Sequence, residues 1–599
     1  PSVSWQVPPM PALDLFTLQR ELSGIDLVLP TSTPSAYQPG DVRTFWIANL
    51  ESAEMWRITA TLQVAREHVQ MWLQEGLEID REALQRSAER FEKEIYPTTC
   101  AIFGSEWSPG IDGDPHLLIL NAAVEGALGY FASANEYPRG VHPYSNEAEM
   151  FVMNVGPDGL TPGTTSYDAV LAHELQHMIH WYQDSNEDAW VNEGAADLAE
   201  HINGFSWPQA AVASFAQDPD LQLNTWSDHR LHAHYGASFL ILRYFLDRYG
   251  KEALRALISE QRNGIDAFEA VLAIQGEGMT FDDLFADWLV ANILDAPEYA
   301  DGRYGYRQID VSARSQEQIS DYPYRHIETV HQYGADYFEL SPSITHTLRV
   351  HFAGDTMVRL VPNAPFSGRY QWWSNQGDVS HSYLEHAFDL TQVSSATLSY
   401  ELWYDIEAGW DYAYVRASKD GGGTWQLLRG RYSSDLNPRG NALGPGYTGR
   451  SGLSLDAPQH EPPQWVHEEI DLGEFVGHEV LVRFDYVTDD ALHHAGLCLD
   501  DIALEAVGFF DDVEQGVGAW RAVGFVRHDN TLPQRYLVQL VTVGETVQVQ
   551  RLPVDGAGYG KWNLDPPASD TKRLLLIVAA TTPITRESAA YRLNIEARE

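Results

Sequence analysis

Residues 166–183 read SYDAVLAHELQHMIHWYQ, a run with apolar side chains at helical spacing and neither Gly nor Pro inside it. Within it His173, Glu174 and His177 form the string H-E-x-x-H. On a helix, positions i and i+4 stand one above the other, so both imidazoles can reach one ion. Glu174 follows the first of them and projects toward the open coordination position, where a carboxylate can act as general base on water.

A third ligand is offered further along. Glu193 lies in WVNEGAAD (190–197), at the start of a second helical pattern, and the intervening QDSNEDA can turn the chain back so that Glu193 faces the two histidines. Asp197, one turn on and on the same face, is placed to accept the second ring N–H of a metal-bound histidine. Two histidines, one carboxylate and an open position make a catalytic zinc site. The longer string H-E-x-x-H-x-x-G-x-x-H is not met, because His180 stands at its Gly position and Gln183 at its last His position. His180 is therefore read as a packing or hydrogen-bonding residue.

Outward from this core, residues 166 to about 296 read almost entirely as helix. Upstream, VRTFWIAN, EMWRITATLQVA, HLLILNA and EMFVMNV read as strands. EHVQMWLQEGL (67–77) and REALQRSAERFEKEIYP (81–97) have the i, i+3, i+4 spacing of amphipathic helices. After about residue 310 strict alternation takes over, divided by Gly, Pro, Asn and Asp turns, as in β-sandwiches. The expected organisation is multidomain α+β. An extended N-terminal strap spans 1–40 and a catalytic domain, an α/β lobe plus a helical lobe, spans 41–310. A small β region follows (311–369), with the option of pairing with the last domain, then a β-sandwich (370–508) and a C-terminal β-sandwich (509–599).

The chain has 599 residues, 44% of them hydrophobic and 12% aromatic, enough for several packed cores and incompatible with a disordered chain. Lys and Arg number 39 against 85 Asp and Glu, a net charge of −46, which makes nucleic acid and anionic lipid poor partners. No apolar run of membrane-spanning length occurs. The start at Pro1, with no basic and apolar leader behind it, is read as that of a processed or trimmed chain. Cys100 and Cys498 are read as buried free thiols, too far apart in sequence for a cysteine-based metal site.

HELQH followed by NEGAAD resembles the gluzincin zinc metallopeptidases, and the stretch from YQPGDVRTFWIAN to HELQHMIHW resembles the hyicolysin-type peptidases among them. That resemblance covers roughly residues 40–300. It implies a gluzincin-like catalytic domain in which His173, His177 and Glu193 bind zinc, Glu174 is general base and then acid, and Asp197 orients a histidine. It also implies an oxyanion stabiliser on a helix after the third ligand. HAHYGASF offers His232, His234 and Tyr235, with Tyr235 favoured and His234 the runner-up. The alternative for Tyr235 is plain packing between helices.

The stretches DLTQVSSATLSYELWYDIEAGWDYAYVRASKDGGGTWQLL and VRFDYVTDDALHHAGLCLDDIAL look like the MAM-like β-sandwich of the immune inhibitor A family, and GAWRAVGFVRHDNTLPQRYLVQL resembles the end of the same proteins. SKDGGGTW (418–425) fits a sialidase-type hairpin. As a single copy it is a folding device, with Asp420 satisfying turn amides and Trp425 packing. Asp378, Asp411, Asp500 and Asp501 could supply oxygen ligands to a structural calcium ion. Trp372, Trp373, Trp403 and Trp410 could form a glycan platform, although strand spacing favours core positions.

The function expected is that of a secreted zinc endopeptidase acting on protein substrates. The alternative is a non-catalytic adhesin or glycan-binding protein with a structural zinc site, and a zinc hydrolase of a non-peptide bond stands third.

Overall fold

The computed structural model describes residues 7–24, 37–52, 54–227, 229–276, 278–458 and 460–598. Residues 1–6 and 25–36 of the expected strap thus lie outside the described residues. The chain forms two compact units: Pro1–Ala189, Ala199–Phe205 and Ala364–Asp529 in the first, and Trp190–Leu198, Ser206–Asn363 and Asn530–Glu599 in the second.

In the first unit the described part of the expected strap contains a helix: residues 7–14 are not helical and bridge Ser380 through Ala12, and α1 (Leu15–Ser23) follows, its start capped by Asp14 accepting from Thr17 N and its end by left-handed Gly24. A six-stranded sheet follows from β1 (Val42–Ala48), β2 (Met55–Ala65), β3 (Val69–Gln74), β4 (Leu117–Ala122), β5 (Gly129–Phe131) and β6 (Met150–Asn154). Its order is β1-β2-β3-β4-β6-β5, with β3, β4 and β6 parallel and β5 an antiparallel edge strand. Phe45, Ile58, Leu62, Trp72, Leu118, Leu120, Met150 and Val152 share one core.

The segment 67–77, expected as a helix, is instead β3. Its first five residues are all buried and it pairs in parallel with β4 (Val69↔Leu117 to Leu73↔Asn121). A strand covered on both faces reads as a continuous apolar run, whose spacing also satisfies a helical template.

Two helices follow β3, α2 (Arg81–Arg90) and α3 (Tyr96–Phe103), joined through the π-turn Phe91–Ile95 with Pro97 accommodated in the first turn of α3. The next helix is α4 (Thr165–Gln183) and the one after it α5 (Ala189–Ile202). In the second unit α6 (Gln209–Gln217), α7 (Leu231–Ile258, interrupted at Gly250), α8 (Gly264–Gln275) and α9 (Phe281–Leu294) supply the helices.

The sandwich of the first unit sets a sheet built on Thr397–Ile406 and Gly496–Leu504 against one built on His381–Asp389, Tyr412–Ser418 and Glu479–Val487. Three strands beyond residue 508, Phe509–Asp511, Arg521–Val523 and Val526–His528, pair into these same two sheets. Trp372, Trp373 and Trp403 are at most 2% exposed. They offer no ring face to a glycan. Trp410 lies under the Arg439 guanidinium, 4.4 Å from ring centroid to Cζ. Asp420 accepts from Thr424 N (2.9 Å), Thr424 Oγ1 (2.7 Å) and Ser418 Oγ (2.7 Å), and Trp425 is buried beside that turn.

The sandwich of the second unit combines strands distant in sequence. Tyr324–Val330 and Thr347–Gly354 share a sheet with Tyr559–Leu564 and Ala589–Arg598, while Glu317–Ile319 and Ala335–Leu340 share the other with Tyr536–Val543, Val547–Arg551 and Arg573–Ala580. Among the described residues no helix is long and apolar enough to cross a membrane. Cys498 is buried and Cys100 half-buried, and neither is in a disulfide.

Candidate metal centre

The helix α4 is fixed at its start. Thr164 caps it, the Tyr167 hydroxyl donates to Asn121 Oδ1 on β4 (2.6 Å), and buried Asp168 accepts from Ser87 Oγ (2.5 Å) and Arg90 Nη1 (3.1 Å) on α2. These anchors set the rotation of the helix against the sheet. His173 and His177 follow two and three turns later, their rings 4.7 Å apart at 74°.

The start of α5 is also held, by Ala189 N donating to Asp378 Oδ2 (3.1 Å), a carboxylate at a helix N-terminus. His173, His177 and Glu193 each present a ligand atom, all within 4.8 Å of one another and all partly buried. Two imidazole nitrogens and a carboxylate oxygen are a donor set of the kind zinc takes, with room for a further ligand.

His173 has a second set of neighbours. Its Nδ1 lies 3.4 Å from Glu200 Oε1, and His173, Asp197 and Glu200 again have ligand atoms within 4.8 Å of one another. Asp197, offered by the sequence as a partner of a histidine, falls in this second group. Glu200 is additional: seven residues beyond Glu193, it falls two turns along the same helix face, a spacing visible in the sequence without a partner to attach to it.

Glu174 is 4% exposed. The edge strand β5 runs against it at Gly129, where an added Cβ would lie 2.9 Å from Glu174 Oε1 and 2.8 Å from Val170 Cγ1. Only a residue without a side chain fits between the strand and this carboxylate. His180 is fully buried beside Gln176 Nε2 (3.3 Å), and burial, then the neighbouring His177, pushes its imidazole down to about 3.

Tyr235 lies in the first turn of α7, partly exposed, edge-on to Trp226 at 4.8 Å. His234 is buried, and burial together with Arg230 pushes it down to about 4; His232 is exposed.

Of the four carboxylates considered for calcium, Asp411 alone joins a candidate cation group among the described residues, with Glu407 and Asp489. Asp378 is engaged by Ala189 N, His493 N and His493 Nδ1. Asp500 accepts from Ser367 N and Asp501 from Ser367 Oγ.

Residues 349–530 match the family of immune inhibitor A-like MAM domains. Over 175 residues the chain is 28% identical to the pre-pro-metalloprotease PrtV of Vibrio cholerae serotype O1, which is 29% of this chain and 17% of that protein. It is 27% identical over 176 residues to the neutral metalloprotease ShpI of Staphylococcus hyicus (27% of this chain, 40% of that protein). It is 30% identical over 176 residues to immune inhibitor A of Bacillus thuringiensis subsp. alesti (29% and 23%). The chain therefore spans between 17% and 40% of the length of these relatives. It carries an immune inhibitor A-like MAM domain and is similar, over limited stretches, to immune inhibitor A and to proteins named as metalloproteases from Vibrio cholerae and Staphylococcus hyicus.

Proposed function

We propose that the protein is a secreted zinc-dependent endopeptidase acting on protein or peptide substrates. The observation that carries this reading is the convergence of His173, His177 and Glu193 within 4.8 Å, next to a buried glutamate in the H-E-x-x-H position. The names of the relatives, all metalloproteases or immune inhibitor A, support it. His173, His177 and Glu193 hold the metal. When bound, zinc supplies Lewis acidity toward the scissile carbonyl and makes water a nucleophile near neutral pH.

The chain's own residues do the rest. Glu174, fixed between α4 and Gly129, takes the proton of the attacking water and passes it to the leaving amine. Asp197 and Glu200 hold the outer nitrogen of His173, fixing its tautomer and ring orientation. Tyr235 donates its phenol to the oxyanion. The adhesin reading requires aromatic faces on the first unit's sandwich, and the burial of Trp372, Trp373 and Trp403 counts against it.

The test is cleavage of unfolded casein by wild type and Glu174→Gln, with zinc measured on both. The expected result is about one zinc in each and turnover lowered by roughly 10³-fold or more in the variant. Undiminished, chelator-sensitive cleavage by a clean Glu174→Gln preparation would falsify the assignment.

A further inference from the structure

Beyond His177, α4 carries one more large side chain on the face that holds the two histidines: Trp181, one turn further on. Its ring is the hub of an aromatic group drawn from four places in the first unit. Phe131, the last residue of β5, lies 6.4 Å from it between ring centroids, and Tyr137 lies 6.1 Å away, edge-on at 85°. Trp107, in the loop after α3, lies 6.5 Å away. All four side chains are half-buried. Trp181 Nε1 is buried with no hydrogen-bond partner among the described residues. A buried indole N–H ordinarily has an acceptor.

The strand β5 connects this group to the proposed general base. Side chains alternate along a strand, so Gly129 and Phe131 face the same way. At Gly129 that face meets Glu174 and Val170 of α4, and at Phe131 it meets Trp181. β5 is also the last strand of its sheet. Asn154 N donates to Leu128 O (2.9 Å), so alternate residues of the strand bond to β6, while Gly129 and Phe131 turn their backbone N–H and C=O toward the open edge. An extended peptide laid antiparallel on that edge finds main-chain partners at both. With its scissile bond beside Glu174 and Gly129, its residues on the amino side run toward Phe131.

We infer that Trp181, Phe131, Tyr137 and Trp107 form a specificity subsite that selects a large apolar side chain, an aromatic one above all, about two residues before the scissile bond. The inference rests on the peptidase reading. Four half-exposed rings and an apolar side chain gain by leaving water together. A charged side chain would lose hydration there and find no counterion on these four residues. The main chain of the same peptide supplies what the rings lack, a carbonyl acceptor for Trp181 Nε1.

The test uses the full chain, zinc-loaded and carrying Glu174→Gln, so that peptides bind without being consumed. Two peptides are compared by calorimetric titration, one with a single Phe in an Ala- and Ser-based sequence, the other with Ala in its place. The Phe peptide should bind about 10-fold more tightly, and adding Trp181→Ala should bring that ratio close to one. Equal affinities for the two peptides, or a ratio unchanged by Trp181→Ala, overturns the inference. Phe131→Ala repeats the comparison should Trp181→Ala fail to fold. Casein fragments made by the wild type, mapped by mass spectrometry, should carry Phe, Tyr or Leu on the amino side of the cut; enrichment on the carboxyl side alone overturns the placement. A wild type that cuts no casein signals failure of the peptidase reading instead, because the binding comparison requires no turnover.

Discussion

The Glu174 carboxylate is closed in by the backbone of Gly129 on the edge strand β5. The H-E-x-x-H string places Glu174 on the correct helix face, but the strand that closes over it comes from 45 residues earlier. Gly129→Ala should displace the carboxylate: the new methyl carbon meets Oε1 at 2.9 Å and Val170 at 2.8 Å. We expect kcat/KM to fall by about 10-fold or more with zinc content unchanged, because misplacement by a fraction of an ångström weakens proton transfer. Metal analysis beside kinetics separates this from loss of the ion. At His173, Glu200→Gln should weaken zinc retention by roughly 10–100-fold in a chelator competition, since it removes the charged acceptor of the outer ring nitrogen. An unchanged zinc affinity would assign that role to Asp197 alone. His173, Glu174 and His177 were legible because one helix carries them all; Glu193 and Asp197 were legible as candidates only because a second helical pattern follows closely. Glu200 had the right spacing and no visible partner.

The elements tell a similar story. The helix α1 lies inside the expected strap, and its local signals, Asp14 at the start and Gly24 at the end, stand in a segment whose Pro residues favour extended backbone. The residues just before it are held in the first unit: Leu13 N donates to Val379 O (2.8 Å), and His381 N to Pro11 O (3.0 Å). Leu18, 1% exposed, packs with Tyr412, Tyr414 and Val487. Glu21 accepts from Arg416 Nη1 at 2.9 Å, while Arg416 pairs through two bonds of 2.7 Å with buried Asp485. Leu18→Ala should therefore cost about 2–4 kcal/mol, by loss of burial plus a cavity, read as a lower denaturant midpoint for the first unit. A midpoint unchanged from wild type would mean that α1 contributes nothing to its stability. The strand β3 teaches the converse lesson. Its apolar residues fit a helix template in isolation, and only neighbours on both sides, β2 and β4, made the extended form the one that satisfies its backbone.

Over the whole molecule the excess of acidic groups sets a pH dependence with a definite sign. Asp336 in one sandwich and Asp500 in the other are each pushed up to about 7, chiefly by burial. Between about pH 4 and 7 the folded chain thus binds more protons than the unfolded chain at these positions, so this contribution to stability is full below about pH 4 and is lost as pH rises through 7. Asp485 acts oppositely. Burial opposes its charge, yet Arg416 and His381 hold it well below the usual carboxylate range, so its contribution is present above about pH 4 and lost as pH falls further. Buried His180, His234 and His528 act in the same sense as Asp485, since burial holds them down to about 3, 4 and 3 and their contribution is lost as pH falls below about 6.5. The Asp336 effect is therefore read by difference: Asp336→Asn should remove its part of the loss of stability between about pH 4 and 7. Thermal unfolding across pH 3–8 checks this, and identical changes in Tm between pH 4 and 7 for wild type and Asp336→Asn would exclude it.

The sequence by itself determined the periodicities: helices from 166 to 296, alternating strands after 310, and one helix with two histidines and a glutamate at fixed phase. These follow from local geometry, in which 3.6 and 2 residues per repeat decide which side chains share a face. It also carried the marks of resemblance to metallopeptidases and to the MAM-like sandwich. Tertiary structure alone decided which strands pair. The sheets that join residues 317–354 to 536–598, and those that take strands from 509–528, depend on long-range registers for which no local signal exists. It alone brought Gly129 to Glu174. Burial there removes water, and only then does the absence of a side chain acquire a chemical consequence.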